Sequence, residues 1–485
     1  MKTQISRRRF LGVGAAAAAV SAFPVPSLVS ARGINDKVSL AAIGSGVRCS
    51  QVMGDFKNTG MVTFAGFADP DLGRAKNAAK RFDCSRAVTD FRTLLDDSSV
   101  DATVVTTPNH WHCLAAILSM AAGKDVYVEK PLSHSQWEGQ QVVNASRKYD
   151  RICQMGNQQY SDPMQNEIKK FLHADKELGA IQSVRVNHYS VRQPIGKRET
   201  PMTIPSAVDY NLWLGPAQDL PLYRNSFHYD WHWMWNTGSG EMGNWGVHVL
   251  GDALNNGLLN CKTLPKAFMG GGARVVYNDA GETPNMHFVS FETETVPVVL
   301  GLSNVPLEKG VKAAGIFEGP RNGYIVFCEG GQLEGQRGSA VAKDKDGAVV
   351  CSFKGNSGNV VHQKNFLDAL IAHDRTIQNS EIALGNCVTG WCNLANIAFR
   401  IGKPFTYQAA DFYKNNTCGM WTTLLERMES QFGNYGLSLE KDAVLSPVLT
   451  VDQATGRFTG EGAEQANALL KREYRKGFEV PDCSV

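Results

Sequence analysis

Four short apolar runs in the first third of the chain each end at a glycine, proline or acidic residue. They are "KVSLAAIG" (Lys37–Gly44), "MVTFAGFAD" (Met61–Asp69), "DATVVTTP" (Asp101–Pro108) and "DVYVEKP" (Asp125–Pro131). Helical patterns such as "DLGRAKNAAKRF" and "HCLAAILSMAAG" lie between them. Apolar strands that alternate with helices bury both faces, which selects a parallel sheet with right-handed crossovers. "ICQMGN" (Ile152–Asn157) reads as another strand and closes a first domain near residue 157.

Beyond it the pattern changes. "SVRVNHYSV" (Ser183–Val191), "HFVSFETE" (His287–Glu294), "VPVVLGLS" (Val296–Ser303) and "GYIVFCEGGQLEGQ" (Gly323–Gln336) alternate like antiparallel strands with one wet face. "AVAKDKDGAVV" reads as an exposed hairpin, and "NFLDALIAHD" and "GNCVTGWCNLANIAFRIG" as helices. The expected fold is α/β: an N-terminal Rossmann dinucleotide-binding domain over residues 32–157, then an α+β domain over 158–485 with a large open, mainly antiparallel sheet.

At 485 residues, with 43% hydrophobic and 20% charged residues, the chain can bury two cores, and a formal charge of +2 gives no reason to expect nucleic acid. The N-terminus stands apart. A basic start (Arg7, Arg8, Arg9), an apolar run from Leu11 to Phe23 and small residues toward Ala31 have the layout of a signal peptide, too short to insert across a bilayer. Ser6-Arg7-Arg8-Arg9-Phe10-Leu11 resembles a twin-arginine export signal, so residues 1–31 are expected to be removed on export to the periplasm. Losing the four basic residues of that segment takes the formal charge from +2 to −2. The eleven cysteines form no C-x-x-C pair or zinc spacing, and no disulfide framework is expected.

"AAIGSGVRC" places Gly44 and Gly46 after the first strand and Val47 and Arg48 at the head of the following helix. Gly44 allows a tight turn, and Gly46 lets backbone N–H groups approach a pyrophosphate. Cys49 stands where a third glycine would fall. Asp69, ending the second strand, can accept from both ribose hydroxyls and repels a 2′-phosphate, which favours NAD over NADP; Arg74 is the one nearby group that would suit the phosphate. Past the third strand, Thr107, Pro108 and Asn109 can shape a nicotinamide-side loop, with His112 at the next helix start. His110 and His112 have no third ligand nearby, and no metal is expected.

The combination of "IGSGVR", "FADPD", "TTPNHWH", "AGKDVYVEKPL" and "GNWGVH" resembles the Gfo/Idh/MocA oxidoreductases, which include glucose–fructose oxidoreductase and inositol dehydrogenase. The resemblance implies that Lys130 of the Glu-Lys-Pro element points at the reacting hydroxyl and that Glu129 lies near the nicotinamide ribose. Physically, an ammonium beside a carbinol stabilises negative charge developing on oxygen. Family members often carry Asp-x-x-x-His in the second half of the site. This chain has Asn244 and His248 there, which leaves His248 as the proton acceptor and Asn244 as a hydroxyl-holding or orienting group.

"HYDWHWMWN" (His228–Asn236) interleaves Trp231, His232 and Trp235, a pattern suited to the C–H face of a pyranose. The family resemblance implies oxidation of a sugar or glycoside hydroxyl, at C3 by analogy with that family, by a protein expected to carry its NAD through export. The hydride then passes to a second acceptor, or the keto product to a downstream lyase. A redox-assisted glycoside hydrolase and a non-catalytic carbohydrate-binding protein remain as the other readings. A homo-dimer or homo-tetramer is expected to form through the flat face of the second sheet.

Overall fold

The computed structural model describes residues 37–259, 262–315 and 318–484. The signal-peptide reading falls on residues 1–31, outside the described residues.

The first sheet has six parallel strands in the order β3-β2-β1-β4-β5-β6. They are β1 (Val38–Ile43), β2 (Val62–Ala68), β3 (Ala87–Val88), β4 (Ala102–Val105), β5 (Asp125–Glu129) and β6 (Cys153–Gly156). Crossover helices α1 (Val47–Asn58), α2 (Leu72–Arg81), α3 (His112–Ala121) and α4 (Gln136–Lys148) pack on its faces. Strands β4 and β5 are buried throughout, as expected where helices cover both sides. The strand order reverses between β1 and β4, and ligands of such sheets bind at the carboxyl edge of this switch point.

The second sheet has twelve strands. Its longer members are β7 (Ile181–Tyr189), β8 (Ala267–Ala273), β9 (Met286–Glu292), β10 (Val298–Ser303), β11 (Asn322–Cys328), β12 (Gly331–Gln336), β13 (Ser339–Asp344) and β14 (Val349–Lys354). The pairing is antiparallel except between β7 and β10, which run parallel. "AVAKDKDGAVV" forms the β13–β14 hairpin at the sheet edge, where Val349 and Val350 are exposed.

The sheet centre does not have the wet face that its sequence suggests. Strand β10 is buried at every residue, and β9 at all but its last. One face packs Val298 and Leu300 against α5 (Val247–Gly257) and α7 (Ile382–Ile401). The other sets Val299 and Phe288 against Trp421, Leu424 and Met428 of α8 (Met420–Gly433). A helix encoded more than a hundred residues later supplies this cover, so strand alternation alone could not report it. At the sheet centre this helix covers part of the face on which self-association was expected, while β12–β14 keep partly exposed residues.

The first domain also draws on distant sequence. Helix α6 (Asn359–Ala372) inserts Phe366 beside Phe56 of α1 and Tyr127 of β5, with ring centroids 6.0 and 5.8 Å apart, both edge-on. The C-terminal tail is pinned by Arg472 Nε donating to Glu138 Oε1 at 2.6 Å and by the Cys483 N–H donating to Gln141 Oε1 at 2.7 Å. Val480 and Cys483 complete the core beneath α3 and α4. Phe366→Ala should therefore cost about 3–5 kcal/mol by removing a fully buried ring. The check is the guanidinium midpoint of the purified protein, with nucleotide affinity falling alongside it.

Candidate functional site

A cleft of about 580 Å³ opens along the carboxyl edge of the first sheet. One end is lined by Gly44, Gly46, Asp69 and Arg74, and the other by Lys130, His232, Asn244 and Trp245.

At the first end, Gly44 has φ +87°, and a Cβ there would meet Thr106 O and Thr107 N, each at 2.8 Å. The first turn and the β4 loop approach too closely for any side chain. A Cβ on Gly46 would lie 2.6 Å from Arg74 Nη2, so that guanidinium lies over the glycine turn. Helix α1 starts here with no side-chain cap and no acid in its first turn, leaving its N–H groups for an anion. Val47 is exposed at this end and lines the cleft. Asp69 accepts from the Ser45 N–H at 2.8 Å and the Asp71 N–H at 2.9 Å, which holds its carboxylate at the cleft wall. Burial raises its pKa, against these two bonds and Arg74. Cys49 is fully buried in the core beneath α1, so the missing third glycine is a packing position here. A glycine cradle, an uncapped helix start and a carboxylate after β2 fit a dinucleotide.

Thr107, Pro108 and Asn109 line the middle of the cleft. His112 ties their loop to the Glu-Lys-Pro element: one ring nitrogen faces Pro131 O at 2.7 Å and the other Thr107 O at 2.9 Å. His110 bridges Trp213 O and Thr237 O in the same way, at 3.0 and 3.2 Å. Both histidines clamp backbone. Among the described residues no three potential metal ligands cluster. Arg48 reaches from α1 to Glu129, with Nη2 donating to Oε1 at 2.7 Å. Burial would raise the Glu129 pKa, but the Arg48 charge and hydrogen bond hold it below the usual carboxylate value.

At the far end, Lys130 Nζ donates to Asn244 O at 2.5 Å and to Asn244 Oδ1 at 3.0 Å. An ammonium has three donors, so one N–H is left for a ligand. Burial brings the Lys130 pKa down to about 8, with Glu129 opposing and Arg48 reinforcing. Asn244 lies in a π-turn (Met242–Gly246) ahead of α5, an irregularity frequent at functional sites. Its Nδ2 donates to Glu241 Oε2 at 3.3 Å. Glu241 is fully buried, with His188 Nε2 at 3.0 Å and Arg192 Nη2 at 2.7 Å. Burial opposes its ionisation, but these partners win and hold its pKa at about 2.

Three imidazoles line the cleft: His112 is spent on backbone, His228 faces Asp71 Oδ2 at 3.2 Å, and the third is His232. Its Nδ1 lies 2.7 Å from Tyr229 O, a carbonyl that can only accept, so Nδ1 carries the proton and Nε2 is bare. The ring stacks on Trp231, centroids 3.6 Å apart and planes 18° apart. Burial lowers its pKa to about 4, and the Lys130 charge adds to this. His248 does not line the cleft. It is buried on α5, with Nδ1 3.3 Å from Asn157 Oδ1 and its ring against Trp245 at 5.8 Å. Trp245 itself does line the cleft, so the indole takes the exposed position. Trp235 also turns away, toward Arg400 and Phe399 at 5.3 and 6.2 Å.

The structure thus brings Lys130, Asn244, Trp231 and His232 together and leaves His248 and Trp235 outside the lining. It adds Tyr229, Trp245, Arg192 and the buried Glu241. The two aromatics and Glu241 stand in stretches whose composition already pointed to the site. Arg192, just past β7, has no sequence signal beyond its position at a strand end.

A parallel sheet whose switch-point cleft is closed by a second α/β domain defines the class by its architecture: a two-domain dinucleotide-binding fold. Residues 38–157 match the oxidoreductase family's NAD-binding Rossmann fold, and residues 180–265 its C-terminal alpha/beta domain. Both matched models are those of the Gfo/Idh/MocA oxidoreductases. It is 32% identical over 150 residues to inositol 2-dehydrogenase 4 of Saccharopolyspora erythraea, a match covering 30% of this chain and 44% of that protein. It is 28% identical over 185 residues to 4-carboxy-2-hydroxymuconate-6-semialdehyde dehydrogenase of Sphingobium sp., covering 38% of this chain and 57% of that one. The chain thus spans about half the length of these curated relatives. Among solved structures, levoglucosan dehydrogenase in complex with NADH and levoglucosan shares the fold, with a TM-score of 0.56 at 15% identity over 75% of this chain and 96% of that one.

Gly44→Ala should weaken nucleotide binding. The substitution costs about 1–3 kcal/mol in left-handed backbone strain, with the Thr106–Thr107 clash in addition. NADH fluorescence titration reads the loss directly.

Proposed function

We propose that this protein is an NAD-dependent dehydrogenase that oxidises a hydroxyl of a sugar or glycoside, at C3, to the ketone. The observation that carries this reading is the half-buried Lys130 ammonium, fixed by two bonds to Asn244 with a bare-nitrogen imidazole, His232, lining the same cleft.

When bound, NAD supplies the hydride acceptor for the oxidation. Gly44, Gly46 and the start of α1 would hold its pyrophosphate, Asp69 the adenosine ribose, and Glu129 the nicotinamide ribose. The free N–H of Lys130 binds the carbinol oxygen and stabilises the negative charge that develops there. His232 Nε2 takes the hydroxyl proton, neutral throughout the physiological range because its pKa is held at about 4. Trp231, Tyr229 and Trp245 offer aromatic faces to the C–H side of a pyranose. His248, first in line from sequence, gives up the proton-acceptor role because its ring is turned to Asn157.

The inositol and levoglucosan specificities of the relatives support a polyol or sugar substrate here. The twin-arginine pattern supports a periplasmic location, and with it a cofactor that stays bound through turnover. C3 follows from the family resemblance alone.

The deciding experiment is to denature the purified protein, identify the released nucleotide, and screen glycosides by mass for a product two hydrogens lighter that retains its aglycone. Release of the aglycone would favour the hydrolase, and no change in any sugar the binding protein. Lys130→Met should lower kcat about 10²–10³-fold with NADH affinity unchanged; equal turnover would remove Lys130 from the mechanism. The ammonium is present below its pKa of about 8 and lost above it, so kcat/KM should fall as pH rises through that value.

A further inference from the structure

Lys130 is held entirely through Asn244, and Asn244 has an amide that could point either way. Its Oδ1 and carbonyl face the ammonium while its Nδ2 faces Glu241 Oε2. A carboxylate can only accept and an ammonium can only donate. Turning the amide over would set Nδ2 against Nζ and Oδ1 against Oε2, breaking both bonds at once. Glu241 in turn is immobilised by His188 from β7 and by Arg192, both bonded to its other oxygen. Its side chain is fully buried and does not line the cleft.

We propose that Glu241 is the positioning residue of this site: through Asn244 it fixes the lysine ammonium at the carbinol position and places a permanent negative charge behind it. This rests on the dehydrogenase reading for its consequence in turnover, but not for its effect on Lys130 itself. The other charged and titratable groups around Lys130 are Glu129 from β5, Arg48 from α1, His112 from α3, His232, His248 from α5, Cys392 from α7 and Arg337 from the β12–β13 turn. Arg48 and Arg337 oppose the ammonium. Glu129 and Glu241 both favour it, Glu129 the more strongly, and each carboxylate is bonded to an arginine. Of the two, only Glu241 is bonded to a residue that itself accepts from Nζ. Glu241 is set apart by the Asn244 bridge, which aligns it with Lys130 through hydrogen bonds.

The test uses the full chain with NAD bound, lysine labelled with ¹³C at Cε, and Lys130→Arg to assign the signal. In Glu241→Gln the Lys130 titration should move down by roughly one pH unit, and the alkaline limb of kcat/KM should move with it. The swapped double variant, Glu241→Gln with Asn244→Asp, returns a carboxylate to the ammonium and should restore the titration to its starting point or above. A merely structural Glu241 would lower Tm and activity together, leave the Lys130 titration where it was, and gain nothing from the swap; that result overturns the proposal. Should Glu241→Gln fail to fold, with Arg192 and His188 left unpaired, Asn244→Ala keeps their pairs intact. It should still move the titration down, and an unmoved signal is again fatal. If no sugar is oxidised but Lys130 shifts as expected, the dehydrogenase reading falls while the positioning role stands.

Discussion

The contact on which the site depends is the one between Lys130 and Asn244. The lysine stands at the end of β5 in the first sheet, and the asparagine in a turn of the second domain, 114 residues away. Neither domain alone could hold an ammonium at the cleft, because a half-buried cation without fixed acceptors is costly. The domains meet by solving that problem jointly. The first presents the charge on a strand end where Pro131 offers no further ladder donor, and the second supplies two oxygens in line.

The same arrangement explains how buried charge is tolerated on both sides. Arg48 and Glu129 pair within the first domain, Arg192 and Glu241 within the second, each with a nitrogen–oxygen distance of 2.7 Å. Each carboxylate is nearly or fully buried, and each is kept ionised by a guanidinium whose outer edge reaches the cleft. Breaking either pair would strand a charge in a poorly solvated place. The cleft is therefore preorganised: its dipoles and charges are already aimed before any ligand arrives, the condition under which electrostatic stabilisation costs no reorganisation.

The features legible in the sequence were the local ones. Each of the strands β1, β2, β4, β5 and β6 is an apolar run with its own stop, so Lys37–Gly44 already outlined Val38–Ile43. Gly44, Asp69, Lys130 and Asn244 could be found because strand ends and glycine turns carry them in fixed order. His248 shows where this reasoning stops. Its place one helical turn after Asn244 was correctly read, but which way the ring turns depends on Asn157 and Trp245, and no spacing encodes that. His232 was seen only as one polar residue among aromatics; its bare nitrogen is created by the Tyr229 carbonyl. The expected wet face failed for a related reason, since the residues that cover it, such as Trp421, come from far downstream.

Helix α6 and the C-terminal tail give the nucleotide-binding half of this protein an unusual life history. On the ribosome, the first 157 residues emerge with every strand of their sheet but without Phe366, Val480 or Cys483, which seal its two sides. The sheet that is made first can be finished only after residues 472–483 have followed it. Early synthesis of the strands and late arrival of their cover leave an interval in which apolar surface stands without its partners, the condition in which larger chains are prone to aggregate.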